Sequence, residues 1–274
     1  MKIISDSSCD IITLENANFC TVPFKISTNI HEFTDDCFLD VKDMVNTLAG
    51  HKGRSFTGCP GIQDWLDAFG SEKEIYVCTL TSALSGSYSS ARTAAIQYMD
   101  EHPDANVYVF DTLSAGPEVL LLVDKINELT KSGLSFEDVC REASRYLETT
   151  RLFFSLESLH NLAQNGRVSK ITASAAGLLG IRILGTASKE GTLEQITKCR
   201  GEQKLIPKLM NELKKAGYKG GKLYIAHVFN PNFANIIKKS VIDQYPDANV
   251  KLYECRGLCS FYAENGGILI GCEC

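Results

Sequence analysis

Short apolar runs alternate along the chain with segments whose apolar positions recur every three or four residues. The runs are Met1–Ser5, Ile75–Thr79, Val107–Asp111, Leu152–Leu156, Arg182–Ala187, Lys222–Val228, Val250–Cys255 and Gly267–Glu273. Each is short and rich in Val, Ile, Tyr or Phe, and each is read as a strand. The segments Asp40–Ala49, Pro60–Phe69, Ser87–Met99, Pro117–Lys131, Phe136–Thr149, Ser169–Leu179, Gln203–Ala216 and Asn232–Tyr245 carry the helical spacing. Alternation of this kind predicts an α/β protein with a mostly parallel sheet.

Helix-end chemistry agrees. Ser135-Phe136-Glu137-Asp138 supplies an N-cap acceptor and early acids, and Lys214-Lys215-Ala216-Gly217 supplies late cations and a terminal glycine. The segment Pro117–Lys131 contains Val119-Leu120-Leu121-Leu122-Val123, apolar on nearly every side, which predicts a helix buried on both flanks. After about residue 150 the strands lengthen and the helices become sparser. The chain is therefore divided into a parallel-sheet α/β unit, residues 1–150, and a second α/β unit, residues 151–274. The segment near 55–72 is expected to reach toward the second unit. The ligand site of such an architecture is the cleft between the units.

Composition narrows the class. A chain of 274 residues with 44% apolar and 22% charged residues is neither disordered nor fibrous. A net charge of −5 argues against a protein that neutralises nucleic acid phosphates. The longest weakly polar stretch, Ala173 to Ala187, contains Arg182 and falls short of the roughly 20 residues a spanning helix needs. The opening Met1-Lys2-Ile3-Ile4-Ser5-Asp6 reads as a first strand and not as a secretory leader, so a cytoplasmic location is expected. Eleven cysteines, an odd number with no Cys-x-x-Cys pair, fit reduced thiols better than a disulfide scaffold or a zinc site.

Four motifs carry candidate chemistry. Asp6-Ser7-Ser8-Cys9-Asp10 follows the first strand, where the binding crevice of an open parallel sheet lies. Thr57 and Gly58 precede Cys59-Pro60-Gly61, with Pro60 suited to the first turn of a helix whose free N–H groups favour an anion. Ser85 and Gly86 place a second hydroxyl and bare backbone at another helix start. Arg167, in Asn165-Gly166-Arg167-Val168-Ser169, either ties the two units together or faces the cleft. Nucleotide fingerprints and the Gly-x-Ser-x-Gly elbow are missing.

Taken in order, these motifs resemble those of the DegV family of bacterial lipid-binding proteins, over nearly the whole chain. The resemblance implies a Rossmann-like N-terminal domain, a C-terminal α/β domain and a long-chain fatty acid between them. It also implies, for some members, a role as the non-catalytic fatty-acid-binding subunit of a fatty acid kinase. By position, Thr57 matches the family's carboxylate-binding threonine, with Gly58 beside it. Ser85 matches the hydroxyl of its Leu-Ser-Gly motif, with Gly86 supplying backbone, and Arg167 matches the arginine of its Gly-Arg-Ile-Ser motif. Many members carry a histidine followed by Gly-Pro-Gly near the C-terminus. Here the stretch is Phe261-Tyr262-Ala263-Glu264-Asn265-Gly266-Gly267, and Tyr262 is the candidate replacement.

Neither a cofactor nor a metal is implied. Burying an acyl chain contributes about 0.8 kcal/mol per CH₂, on the order of 12 kcal/mol for about 15 methylenes before ordering costs. Leu178, Leu179, Ile181, Ile183, Ile268 and Ile270 are candidates for the tail's lining, or for plain core. Two other readings stand beside this one. Ser85 is a candidate nucleophile of an acyl hydrolase, with His227 as the one histidine in a late strand. Alternatively, the two helix starts hold a phosphorylated metabolite.

Overall fold

The computed structural model describes residues 1–168 and 180–274. The predicted helix Ser169–Leu179, and with it Leu178 and Leu179, lies outside the described residues.

The first sheet holds β1 (Lys2–Asp6), β2 (Phe19–Val22), β6 (Glu74–Thr79) and β7 (Asn106–Asp111) in the order β2-β1-β6-β7, all parallel. Helices α2 (Ile62–Phe69) and α3 (Ser87–Glu101) pack on one of its faces. β1 lies inside the sheet and carries Ile3 and Ile4, both fully buried, as expected for a strand covered on both sides. A small antiparallel sheet of β3 (Lys25–Ser27), β4 (Glu32–Thr34) and β5 (Phe56–Gly58) runs in the order β4-β3-β5, with α1 (Val41–Gly50) between its last two strands in sequence.

The second large sheet comprises β8 (Thr150–Leu156), β9 (Ile181–Ala187), β10 (Leu193–Arg200), β11 (Lys222–His227), β12 (Asn249–Glu254) and β13 (Ile268–Glu273), in the order β10-β9-β8-β13-β11-β12. Only the β11–β12 pair is parallel, so the mostly parallel expectation holds for the first large sheet and fails here. The reason is local: β9 and β10 are joined by a tight hairpin, and β13 returns beside β8 and β11. Helices α7 (Glu202–Ala216) and α8 (Pro231–Gln244) cover one face.

Between the two large sheets lies α4 (Pro117–Lys131), followed by α5 (Phe136–Glu148). α4 touches β1 and β6 of the first sheet and β8, β11 and β13 of the second. Its residues 117–123 are all buried. This is the helix buried on both flanks that its all-round apolar sequence predicts. Each fully buried Leu or Val here contributes about 1.5–3 kcal/mol. At the β9–β10 turn, Gly191 has φ +77° and sits so close to Thr81 that a Cβ would stand 2.0 Å from its Oγ1. Only glycine lets the hairpin tip seat against the loop after β6.

The described chain also holds two short α-helices, α6 (His160–Gln164) and α9 (Gly257–Ala263), and a 3₁₀ turn over Ser7–Cys9. The sequence pattern predicts none of β2, β10, α6, α9 and the three-stranded sheet. No helix among the described residues is long and apolar enough to cross a membrane.

Candidate functional site

The loops that follow β1 and β6 meet at the carboxyl ends of these parallel strands, where open α/β sheets place their ligands. Asp6 joins them. It is fully buried and accepts hydrogen bonds from Ser8 N–H at 3.2 Å, Ser8 Oγ at 2.5 Å, Leu80 N–H at 2.9 Å and Ser87 Oγ at 2.7 Å. Burial raises its carboxyl above the ordinary range, and the four donors oppose that rise. Through Ser87 and Leu80, the end of β1 fixes the turn that carries Ser85 and Gly86.

β5 brings in Thr57 from the small sheet, where it pairs with Ile26 of β3. α9 brings in Tyr262. The Thr57 and Tyr262 hydroxyls are hydrogen-bonded at 2.8 Å across 205 residues of sequence. α9 is held in place at its start by Asp35, whose carboxylate accepts the N–H groups of Gly257 and Leu258, each at 2.8 Å. That carboxylate is completely buried, and desolvation raises its pKa.

Arg167 lies beyond α6. Its Nε donates to the Leu84 carbonyl at 3.1 Å, and its Nη1 donates to the Asn165 carbonyl. Asn165 donates in turn to the Ser55 carbonyl at 3.1 Å. Arg167 thus bridges distant segments of the chain and lines the cavity wall. Cys59 completes the ring: a Cβ on Gly86 would stand 3.2 Å from its sulfur. Direct contacts thus link Thr57 with Tyr262, Cys59 with Gly86, and Arg167 with Leu84 beside Ser85.

These groups border one cavity with an empty volume of about 880 Å³, open mouth included. The rest of the wall is overwhelmingly apolar: Leu152, Phe154 and Leu156 from β8, Leu269 from β13, Leu193 from β10, with Phe24, Leu80, Leu162, Leu258 and others between them. Among the described lining residues there is no aspartate, glutamate or histidine, and Arg167 is the one formal charge. Ser85 Oγ accepts the Ser87 N–H at 3.2 Å, which leaves its own proton available to a ligand. The Thr57–Tyr262 pair likewise uses one hydroxyl proton internally and retains one.

Thr57, Ser85, Gly86, Arg167 and Tyr262 are all in the wall of this cavity. Gly58 is on β5 opposite Lys25, outside the wall, and Cys59 lines it instead. The candidate tail residues need correction. Ile268 and Ile270 are buried in the cluster beneath α7 and α8, Ile183 packs in the same cluster as the wall residues Phe154, Leu156 and Leu269, and neither these three nor Ile181 lines the cavity. On β13 it is Leu269, between Ile268 and Ile270, that lines the cavity, because successive side chains point to opposite faces. Which face of an apolar strand meets the cleft has no mark in composition. His227 is buried on β11, with its pKa lowered by desolvation, and Ser85 has no imidazole beside it in the cavity wall. No group of three His, Cys, Asp or Glu among the described residues is arranged to hold a metal ion.

The chain matches the profile of the DegV family, described as an uncharacterised protein family, over residues 1–271. A DegV domain-containing protein of Streptococcus pneumoniae is 42% identical over 276 residues, covering 99% of this chain and 98% of that protein. Among solved structures, a DegV family protein from Eubacterium eligens loaded with heptadecanoic acid superposes with a TM-score of 0.97 at 49% identity, covering 99% of each chain. The Streptococcus pneumoniae Fatty Acid Kinase B3 protein, loaded with linoleic acid, superposes with a TM-score of 0.97 at 42% identity, covering 99% of this chain and 98% of the other.

Proposed function

Because this chain belongs to the DegV family, we propose that it binds a long-chain fatty acid, with the carboxylate at Thr57 and Ser85 and the acyl chain in the apolar cavity. The observation that carries this reading is the makeup of the wall: a few hydroxyls and one guanidinium on an otherwise apolar, acid-free surface. Such a wall suits a singly charged head on a long apolar tail. It suits a phosphate dianion poorly, since Arg167 alone among the described lining residues offers a countercharge. The fatty acids held by the two similar structures support the same chemistry.

The roles divide as follows. Thr57 and Ser85 donate to the carboxylate, and Gly86 lets it approach the backbone. Tyr262 orients Thr57 by taking or giving the shared proton. Arg167 holds the Leu84 carbonyl and adds positive potential. Units 1–150 and 151–274 close on the ligand, with the cleft between them. With no general base beside Ser85 among the described lining residues, the protein carries the acid and does not cleave it. The likeness to the Fatty Acid Kinase B3 protein supports a kinase partner that receives the presented carboxylate.

The test is binding of oleate or palmitate to delipidated protein, followed by native mass spectrometry and calorimetry. Wild type is expected to retain one acyl chain. Thr57→Val and Ser85→Ala each remove a charge-assisted hydrogen bond of about 1.5–3 kcal/mol, which weakens binding by about 10- to 150-fold while the melting temperature holds. Wild-type affinity in both variants would place the head group elsewhere.

A further inference from the structure

β13 runs into the sequence Cys272-Glu273-Cys274. Residues two apart on an extended chain point to the same side. The two thiols therefore share one face and Glu273 takes the other, where its carboxylate accepts Tyr146 Oη at 2.7 Å and the Lys222 N–H at 2.7 Å. The sulfurs of Cys272 and Cys274 stand 3.5 Å apart, the only sulfur–sulfur hydrogen bond among the described residues.

Their surroundings are unequal. Cys272 is fully buried, opposite Arg151 of β8, with its sulfur 3.7 Å from the Arg151 carbonyl. Cys274 is partly exposed, and its N–H donates to the Thr149 carbonyl at 2.6 Å. Gly217, which caps α7, packs against the Cys274 backbone: a Cβ there would stand 3.6 Å from the Cys274 carbonyl carbon. The strand thus presents one reachable thiol and one shielded thiol behind it. The hydrogen bond between them lowers the Cys274 pKa and raises that of Cys272, so the reachable sulfur is the more readily ionised.

We propose that Cys272 and Cys274 form a redox-active dithiol, which a hydroperoxide converts to an intrastrand disulfide and a dithiol reductant restores. Cys274 thiolate attacks the distal oxygen of the hydroperoxide. The O–O bond breaks, Cys274 becomes a sulfenic acid, and the alkoxide leaves as the alcohol with the proton the thiol gave up. Cys272 sulfur then attacks the sulfenic sulfur. The S–O bond breaks, and the departing hydroxide takes the Cys272 proton as water. Two thiols and one hydroperoxide thus yield one disulfide, one alcohol and one water.

Closure asks the sulfurs to move from 3.5 Å to about 2.05 Å. Cys274, one residue past the end of β13, is where the backbone can give. An extended i, i+2 pair spans roughly 6.6–6.8 Å between Cα atoms, the upper edge of what a disulfide bridges. A bond at that edge is of the labile, readily reduced kind. A partly exposed sensing thiol with an adjacent resolving thiol is also the arrangement in which sulfenic acid is captured before it oxidises further.

The experiment treats the full reduced chain with hydrogen peroxide, quenches with N-ethylmaleimide and maps peptides by mass. The expected product is a peptide spanning 272–274 that is lighter by about 2 Da, refractory to maleimide and recovered by dithiothreitol. Cys274→Ser abolishes this product, whereas Cys272→Ser leaves a sulfenic acid on Cys274 that dimedone traps. A 272–274 peptide that stays fully alkylated while exposed Cys37 and Cys59 oxidise overturns the proposal. So does direct passage of Cys274 to sulfinic acid in the wild type. Should either variant unfold, phenylarsine oxide decides on the wild-type chain. One equivalent is expected to protect both thiols from maleimide, and protection of neither overturns the assignment.

Discussion

At the scale of single residues, the site turns on one contact, the 2.8 Å bond between Thr57 and Tyr262. A threonine hydroxyl rotates freely about its own bond and recognises a carboxylate only when something aims it. Tyr262→Phe removes the aim and keeps the ring that packs edge-on against Phe261, with centroids 4.8 Å apart. The expected loss in oleate affinity is that of one neutral hydrogen bond, about 0.5–1.5 kcal/mol, or roughly two- to twelvefold by calorimetry. An unchanged affinity would mean that Thr57 needs no partner. The participants of this site are largely legible in the sequence, because hydroxyls and glycines at helix starts have a chemical reason to be there. Their pairing is not. Nothing in the local sequence of Phe261-Tyr262-Ala263 says that it meets a strand 205 residues away. The apolar wall is also illegible, since Leu269 and Ile270 look alike until the register of β13 assigns them to opposite faces.

At the scale of elements, most boundaries follow from periodicity and capping. α4 coincides with its predicted span, and α5, α7 and α8 differ from theirs by a residue or so. Periodicity does not announce β2, β10, α6, α9 or the small sheet. β3, β4 and β5 have three residues each, too short for a period of two to declare itself. α9 has seven residues, all but one of them buried, so it shows no polar face and no helical pattern. What makes α9 a helix is tertiary: its first N–H groups are satisfied by Asp35 from the distant loop after β4. Asp35→Ala therefore strands two buried N–H groups, which costs about 1–3 kcal/mol. A chain of this size loses roughly 2–4 °C of melting temperature for each kcal/mol. Because α9 carries Tyr262, oleate affinity is expected to fall as well. Should Asp35→Ala melt with the wild type, the cap is not what holds α9.

At the scale of the whole molecule, the two large sheets are joined through buried acids. Asp10 Oδ1 accepts the Arg256 N–H at 2.8 Å, Asp35 caps α9, and Glu118 of α4 accepts Ser114 Oγ and, at 2.6 Å, Thr150 Oγ1 of β8. Burial raises the pKa of each, and that of Asp6 as well, with Asp10 pushed up to about 8. In an unfolded chain such carboxyls ionise near about 4. Between about pH 4 and 8 the folded protein therefore holds protons that the unfolded chain has released, and its stability falls as pH rises. His227 acts in the opposite sense: its lowered pKa contributes stability that appears as pH rises through about 6.5, the unfolded value. Glu72 and Asp138, whose pKa values are lowered, matter only near and below about pH 4, where their contribution is lost. Four raised acids against one histidine predict a urea midpoint that is lower at about pH 8 than at about pH 5.5, with an unchanged slope. Asp10→Asn keeps an acceptor for the Arg256 N–H and carries no titrating proton, so the fall between those pH values should shrink in that variant. A wild-type midpoint that stays level or climbs over this interval, with Asp10→Asn following the same curve, would show that the sheets dock without protonated acids between them.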